Sequence, residues 1–253
     1  MSEELSGKVA LVTGGGRGLG RGLALALAEA GATVAVCGRT ISFLQDAVTE
    51  VEQVGGRAAA LRCDVTDPGQ VRACVAEVVR LFGGLDILIN NAMGDHGHGR
   101  LLDVTEEALR RALESGPMAT FRLMQACHPH LQNGGVVVNL ASGAGLRPDP
   151  AGYAIYGMAK ESIRFLSRVA AFEWGSDGIR VHSVVPLADS PALQNWARQH
   201  REEAADFFAS VPLGRVGDAR RDIGRVVVFL CSEASAYMTG GTVLIDGGQA
   251  RLA

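Results

Sequence analysis

Short apolar runs alternate with longer helical runs along the chain, and this alternation most constrains the fold. The first apolar run, Lys8–Thr13, leads through a glycine-rich turn into an Ala/Leu-rich run, Arg21–Ala30. Such runs predict buried strands and helices, and Gly31 after the second run predicts a helix stop. Further strands are predicted over Thr33–Cys37, Ala58–Arg62, Leu85–Ile89, Gly135–Leu140 and Ile179–Val185, further helices over Ser42–Val54, Pro68–Phe82 and Tyr153–Trp174, and Arg221–Ser232 and Thr242–Ile245 close the pattern.

This order predicts an α/β fold in which a doubly wound parallel sheet carries helices on both faces. The 253 residues suit one such domain, and no linker or repeat divides residues 1–253. The segment Leu187–Gly217 departs from the pattern because it is amphipathic and helical but contains Pro191 and Pro212. We expect it to be a mobile lid over the substrate.

Composition narrows the classes of partner. The hydrophobic share of 47% and the charged share of 20% are ordinary for a soluble globular protein. A net charge of −3 gives no basic field for nucleic acid or an anionic membrane. The chain shows no signal-peptide pattern and no apolar run of about 18 residues that would span a membrane. Five scattered cysteines without a CxxC pair suit buried thiols in a reducing compartment, so a cytoplasmic location is expected.

The run Thr13–Gly20 (Thr-Gly-Gly-Gly-Arg-Gly-Leu-Gly) joins the first predicted strand to the first predicted helix. Its glycines permit a tight turn and the close approach of backbone to a pyrophosphate. The helix start supplies free N–H groups and the positive end of the helix dipole. An ordinary strand–helix turn is the alternative, but the strand–turn–helix context favours a Rossmann-type dinucleotide site.

Tyr156 and Lys160 lie four residues apart on one predicted helix and so share a face. A free tyrosine has a pKa of about 10, and the Lys160 charge, with that of an oxidised nicotinamide, would favour the phenolate. Ser142 follows a predicted strand and could hold a carbonyl oxygen against the phenol. Tyr156 is therefore predicted to be the general acid and base. Tyr153 is the rival tyrosine, but position 157 is glycine.

With these motifs the chain resembles the short-chain dehydrogenase/reductase family in its common single-domain form. The glycine turn, Asn90-Asn91-Ala92, Ser142, the Tyr156–Lys160 pair and Asp246-Gly247-Gly248 occur in the family's order and spacing. The resemblance implies that Lys160 binds the nicotinamide ribose, Asp64 with Val65 holds the adenine, and Asn90 and Ala92 line the ribose side. It also implies a homotetramer or homodimer. The residues expected to bind the cofactor are Gly14, Gly16, Arg17, Gly18, Leu19, Gly20, Arg39, Asp64, Val65, Asn91, Ala92, Tyr156, Lys160, Pro186 and Ser190.

The residue after the second strand separates NAD(H) from NADP(H), because a carboxylate there accepts from ribose hydroxyls and repels a 2′-phosphate. The run Cys37–Thr40 (Cys-Gly-Arg-Thr) has no carboxylate. Arg39 offers a planar fork of donors to a phosphate, and Arg17 in the glycine turn can approach the same group. Either arginine could instead be a solvated surface charge. Together they favour NADP(H) over NAD(H).

Three positions depart from the family pattern. Gly116 stands where the family has an asparagine of its proton relay, and Pro117 would kink the helix and free carbonyls for a water. One hypothesis is that the proton relay survives through backbone carbonyls and a water, with Ser115 as a possible substitute for the asparagine. The alternative is that the relay is lost and catalysis is slower. Met93 replaces a glycine after Asn90-Asn91-Ala92 and either narrows the nicotinamide pocket or merely packs. Leu187 replaces a glycine after Pro186, with Ser190 as stand-in for a threonine near the carboxamide.

Asp95, His96 and His98 lie in a glycine-rich loop and could be taken as metal ligands. The spacing offers no further strong ligand and the chemistry needs no metal, so no metal is expected. We interpret the two histidines as residues that line the substrate mouth or as solvated side chains.

The sequence thus predicts an NADP(H)-dependent oxidoreductase that transfers a hydride between nicotinamide and a mostly apolar carbonyl or secondary alcohol. Two alternatives stay open because of Gly116. One is a relative that catalyses dehydration or epimerisation of its bound substrate, and the other is a catalytically weak nucleotide-binding protein. Turnover of NADPH with ketones would separate the first interpretation from the other two.

Overall fold

A single parallel sheet organises the structure, a computed structural model that describes residues 3–94, 97, 99–147 and 152–250. Its seven strands lie in the order β3-β2-β1-β4-β5-β6-β7, and every neighbouring pair is parallel. This order confirms the predicted doubly wound, Rossmann-type fold. The strands are β1 (Val9–Thr13), β2 (Thr33–Gly38), β3 (Ala58–Arg62), β4 (Ile87–Asn90), β5 (Val136–Leu140), β6 (Arg180–Pro186) and β7 (Thr242–Ile245).

Helices follow the strands, as the sequence pattern predicts. The α-helices are α1 (Gly18–Glu29), α2 (Ile41–Gln53), α3 (Pro68–Phe82), α4 (Glu106–Leu113), α5 (Ala119–Leu131), α6 (Gly143–Leu146), α7 (Ala154–Trp174), α8 (Pro191–Gln199), α9 (Arg201–Ala209) and α10 (Arg225–Cys231). Two π-helical turns, Glu114–Met118 and Ala219–Gly224, lead into α5 and α10. Within the part of the chain that the structure describes, no helix is long and apolar enough to cross a membrane.

The core has two layers because successive strand residues point to opposite faces of the sheet. Ala10 and Val12 of β1 face the layer that contains α1, α2 and α10. Leu11 between them faces the layer that contains α3, α5 and part of α7. Strands β1, β4 and β5 are buried along their whole length. This two-sided burial explains why they appear in the sequence as continuous apolar runs.

The strand order reverses between β1 and β4, which are neighbours although β2 and β3 separate them in the chain. In open α/β sheets the crevice at such a point, outside the carboxyl ends of the strands, is where ligands bind. The glycine turn after β1 and the Asn90–Ala92 run, which begins with the last residue of β4, both lie at this crevice. The topology therefore places the candidate site at this edge.

The predicted lid segment contains two helices, α8 and α9, and the residues at its two ends are hydrogen-bonded to each other beside the sheet. Ala188 pairs with Gly217 as an isolated bridge, and Asp189 N–H donates to Gly217 O at 2.8 Å. Leu187 N–H donates to Ile245 O of β7 at 3.0 Å. The excursion thus leaves the sheet and returns to it at one narrow neck.

Candidate active site

Close contacts with backbone and with the Asn91 side chain leave no room for side chains at two glycines of the turn after β1. Gly14 has φ +65°, and a Cβ there would lie 2.9 Å from Asn91 Nδ2. A Cβ on Gly20 would lie 2.4 Å from Gly14 O, well inside van der Waals contact. Gly18 has φ +52°, in the region that glycine adopts without strain. The turn therefore brings bare backbone to the crevice, as a pyrophosphate cradle requires.

Thr13, the last residue of β1, joins the turn to the end of β4. Its hydroxyl accepts hydrogen bonds from Asn91 N–H at 3.0 Å and Ala92 N–H at 2.9 Å, and donates to Ile89 O at 3.3 Å. Asn91 Nδ2 donates back to Thr13 O at 2.9 Å. Asn91 was predicted to bind the cofactor, and the structure shows that its amide also holds the turn.

A cavity of about 690 Å³ opens between these segments. Its lining includes ten of the predicted cofactor residues: Gly14, Gly16, Arg17, Gly18, Arg39, Asp64, Val65, Asn91, Ala92 and Ser190. Five others do not line it: Leu19, Gly20, Tyr156, Lys160 and Pro186. Leu19 packs against the core and Gly20 against the turn, because both point inward from α1.

Two arginines and one carboxylate stand at the end of the cavity near β2 and β3. The Arg17 guanidinium lies over the Phe43 ring, 4.1 Å from its centroid, which holds this exposed side chain at the cavity. Arg39 is exposed on the same lining. Asp64 is the one carboxylate among the described lining residues, and its Oδ1 accepts from Thr66 N–H and Oγ1–H at 3.0 and 2.7 Å. This end therefore offers cationic donors to an anion.

Ser142, Tyr156 and Lys160 are brought together beyond the carboxyl end of β5. Ser142 caps α6, and its Oγ accepts from Ala144 N–H at 3.3 Å. Tyr156 lies in the first turn of α7 and hydrogen-bonds with Ser142. Lys160, buried one turn later, donates from Nζ to Leu140 O at 2.6 Å and lies 5.6 Å from the centroid of the Tyr156 ring. The sequence predicted this grouping, and the structure has it.

Burial shifts the pKa values of Tyr156 and Lys160 in opposite directions. The pKa of Tyr156 is raised above its ordinary value, chiefly by burial, although hydrogen bonding with Ser142 lowers it. Burial lowers the pKa of Lys160 to about 8. At neutral pH the phenol is therefore protonated and the lysine still mostly charged.

Gly116 lies in a π-helical turn, Glu114–Met118, instead of the kink expected at Pro117. Proline has no N–H to donate, and the wider turn accommodates it: Ala119 N–H donates to Glu114 O, five residues back. A Cβ on Gly116 would lie 3.3 Å from Met93 Cε and 3.7 Å from Met93 Sδ. Met93 therefore fills the space beside Gly116 while it also lines the cavity.

The Ser115 hydroxyl, predicted as a possible substitute in the proton relay, donates to Arg111 O at 2.9 Å. Ser115 is buried and lines the cavity. Ser190 caps α8 by accepting from Leu193 N–H at 3.1 Å. Asp95, His96 and His98 lie outside the described residues.

Sequence reasoning missed two residues that shape the site, Thr13 and Phe43. Thr13 had been considered only as the start of the glycine turn, yet its hydroxyl joins β1 to β4. A buried polar residue at the end of an otherwise apolar strand is the signal that could have found it, because such groups are normally hydrogen-bonded. Phe43 gave no signal, since its contact with Arg17 depends on how α2 packs.

Comparison with known proteins finds relatives over almost the whole chain. Residues 14–250 match the family described as enoyl-(acyl carrier protein) reductase. A 12alpha-hydroxysteroid dehydrogenase of Clostridium sp. is 41% identical over 250 residues, which cover 96% of each chain.

Two solved structures with bound cofactor are also similar. A short-chain dehydrogenase from Burkholderia cenocepacia in complex with NADP has a TM-score of 0.89 at 34% identity, and the match covers 97% of this chain and 99% of the other. A 7α-hydroxysteroid dehydrogenase complexed with NADH and 7-oxo glycochenodeoxycholic acid has a TM-score of 0.91 at 31% identity, over 99% and 97% of the two chains.

Proposed function

Because the chain belongs to the short-chain dehydrogenase/reductase family of NAD(P)-dependent oxidoreductases, we propose that it interconverts a carbonyl compound and a secondary alcohol with NADP(H), using Tyr156 as general acid and base. The observation that carries the proposal is the hydrogen bond between Tyr156 and Ser142 with Lys160 packed on the tyrosine ring. A phenol held this way has its oxygen beside a second hydroxyl. The pair can bind one substrate oxygen.

The dinucleotide would be held at three points, two of them in the cavity and the third at Lys160, which lies outside its lining. The bare backbone of Gly14, Gly16 and Gly18 would hold the pyrophosphate at the start of α1. Asp64 with Val65 would meet the adenine, and Lys160 would bind the nicotinamide ribose. When bound, the nicotinamide supplies a hydride to the carbonyl carbon or takes one from the alcohol carbon.

The protein's own part of the reaction is proton transfer. In reduction, Ser142 Oγ donates a hydrogen bond to the substrate oxygen and Tyr156 Oη gives it a proton. The raised pKa of Tyr156 keeps that proton available at neutral pH. The charge of Lys160 stabilises the phenolate that remains. In oxidation the same oxygen of Tyr156 receives the proton.

NADP(H) is favoured because Arg17 and Arg39 face the cavity where the 2′-phosphate would lie. A guanidinium can bond a phosphate through two parallel N–H groups, which a ribose hydroxyl cannot match. The Cys37–Thr40 run has no carboxylate to repel the phosphate. Measuring dissociation constants for NADPH and NADH by cofactor fluorescence tests this preference, and tighter binding of NADH would contradict it.

The substrate is proposed to be a mostly apolar ketone or alcohol. Segments that flank the site carry Leu187, Trp196 and Phe207, and Trp196 packs edge-to-face on Phe207 with 5.6 Å between ring centroids. Two relatives are named hydroxysteroid dehydrogenases, so hydroxysteroids and oxo-steroids come first in a substrate panel. Absorbance of NADPH reports turnover, and cofactor binding without turnover of any ketone would favour dehydration, epimerisation or a non-catalytic role.

The remaining parts of the proposal concern assembly and the lid. Exposed apolar side chains on α5 and α7, among them Phe121, Phe165 and Phe172, suit pairing of two copies along these helices, as in a homodimer or homotetramer. The α8–α9 excursion would cover the substrate. Residues 1–253 would form one domain in the cytoplasm. Light scattering measures the oligomeric state directly, and a monomer would contradict the proposed pairing.

A further inference from the structure

Three cysteines that are scattered in the sequence meet beneath the cofactor cavity. Cys37 is in β2, Cys63 follows β3 and Cys74 is in α3, and their sulfurs all lie within 4.8 Å of one another. Hydrogen bonding from Cys63 N–H to Gly38 O at 2.9 Å fixes the end of β3 against β2. All three side chains are buried. The cluster plays no part in the hydride transfer proposed above.

The spacing of the sulfurs matches one ion bonded to all three. Bonds of about 2.3 Å from an ion to thiolates put the sulfurs about 3.5–4.0 Å apart in pyramidal or planar geometry. The cluster would therefore close by no more than about 1.3 Å, which side-chain rotation can supply. Within the described chain, no other His, Cys, Asp or Glu joins this group. A closed zinc site needs four ligands, so the cluster suits an ion that is satisfied by three.

Charge selects among thiophilic ions. The surroundings are the apolar core layer between the sheet and α3, where uncompensated charge is costly. Asp64 and Asp67 add negative charge around Cys63. Three thiolates with a trivalent ion form a neutral group, whereas a monovalent or divalent ion leaves net charge.

We propose that Cys37, Cys63 and Cys74 form a three-sulfur binding site for a thiophilic ion, and that trivalent arsenic has the valence that matches it. Arsenous acid would exchange its three hydroxyl groups for the three sulfurs. Each exchange breaks one As–O bond and forms one As–S bond, and the thiol proton leaves with the hydroxide as water. Arsenic stays trivalent, so no oxidant or reductant is needed.

The cofactor cavity gives the ion its route. Cys63 lines the cavity beside Asp64 and Val65, the residues assigned to the adenine. This step rests on the proposed function: bound NADP(H) would cover Cys63, and arsenite would enter only when the cofactor has left. Saturating NADPH is expected to slow arsenite binding, and an unchanged rate would overturn this route.

The site itself is tested with arsenite and the purified full-length chain, without turnover. Native mass spectrometry should show a gain of one arsenic less three hydrogens per chain. Of the five free cysteines, three should become unreactive in a denaturing thiol titration, which leaves two. Absence of binding, or loss of fewer than three thiols, would overturn the proposal. If zinc bound more tightly than arsenite, the inference that the three thiolates prefer a trivalent ion would be wrong.

Two variants distinguish the cluster from general thiol chemistry. Cys63→Ser should weaken arsenite binding by roughly 100-fold, because the third bond forms within an already tethered complex. Cys231→Ser, a buried cysteine in the other core layer, should leave the affinity unchanged. Equal losses in both variants would contradict the site. If Cys63→Ser fails to fold, Cys74→Ser carries the same expectation. These measurements report arsenite binding and not NADPH turnover, so they can be interpreted even if the chain turns over no ketone.

Discussion

The phosphate-binding turn and the proton-transfer site lie at the same edge of one sheet but are built from different contacts. Around the turn, every contact involves backbone: Gly20 packs on Gly14 O, and the Thr13 hydroxyl accepts from the backbone N–H groups of Asn91 and Ala92. Around Tyr156, side chains of α7 meet the Ser142 hydroxyl and the Leu140 carbonyl from the end of β5. The first region tolerates few sequences, whereas the second can change its surroundings and keep its central residues. Variants in the two regions should therefore fail in different ways.

Replacing Tyr156 with phenylalanine should have the largest effect and should act on chemistry alone. Loss of the proton donor is expected to lower turnover of NADPH with a ketone by about 10²–10⁴-fold. The dissociation constant for NADPH should change little, because the turn after β1 stays intact. Steady-state absorbance and cofactor fluorescence measure the two quantities.

Tyr153 provides the matched control, since its ring lies 6.2 Å from that of Tyr156 at the start of the same helix. Tyr153→Phe should keep most of the turnover. The assignment of Tyr156 would be wrong if Tyr153→Phe lost activity and Tyr156→Phe kept it.

Replacing Gly20 with alanine should act on stability and cofactor binding instead. Its Cβ would lie 2.4 Å from Gly14 O, a backbone atom that cannot rotate away. The backbone must shift to remove this clash, which should lower the free energy of unfolding by roughly 1–3 kcal/mol and weaken NADPH binding. Denaturant unfolding and fluorescence titration measure these effects. Gly84→Ala, where nothing lies within 4 Å, should change stability by less than about 0.5 kcal/mol.

The same contrast explains what the sequence can predict. The fold and the turn follow from local patterns. Every strand was found to within about two residues, and β1, β4 and β5, which are buried along their whole length, gave the clearest apolar runs. The Tyr156–Lys160 pair follows from helix periodicity. The contact of Met93 with Gly116 and the meeting of Cys37, Cys63 and Cys74 depend on how distant segments pack, which no local spacing records.

Replacing Arg39 with alanine tests the cofactor end of the turn region. A charge-assisted bond at this exposed site should contribute about 1.4 kcal/mol, so the dissociation constant for NADPH should rise roughly 10-fold while that for NADH stays the same. Arg62→Ala is the control, because Arg62 is also exposed at the end of β3 but does not line the cavity. Equal losses of NADPH and NADH binding would show that Arg39 does not contact the 2′-phosphate.

The smallest expected effect tests whether the surroundings of the proton-transfer site act as a unit. A Gly116→Asn side chain would meet the Met93 thioether, whose Cε lies 3.3 Å from the Cβ position. This tip is flexible, so the single variant should lose only about 0.5–1 kcal/mol of stability. Met93→Gly removes the obstacle, and the double variant should be more stable than the sum of the single losses predicts, with a coupling of about 0.5–1 kcal/mol.

Turnover of the four proteins in this cycle then decides what Gly116 means for catalysis. If the double variant gains turnover many-fold over the parent, an amide at this position restores a proton route that the natural chain lacks. If turnover stays at the parent level while the stabilities couple, the π-helical turn already serves the reaction through its backbone, and Met93 and Gly116 together shape the cavity. Additive stabilities would show that the two residues are independent, and the difference between the two regions would then be smaller than their contacts indicate.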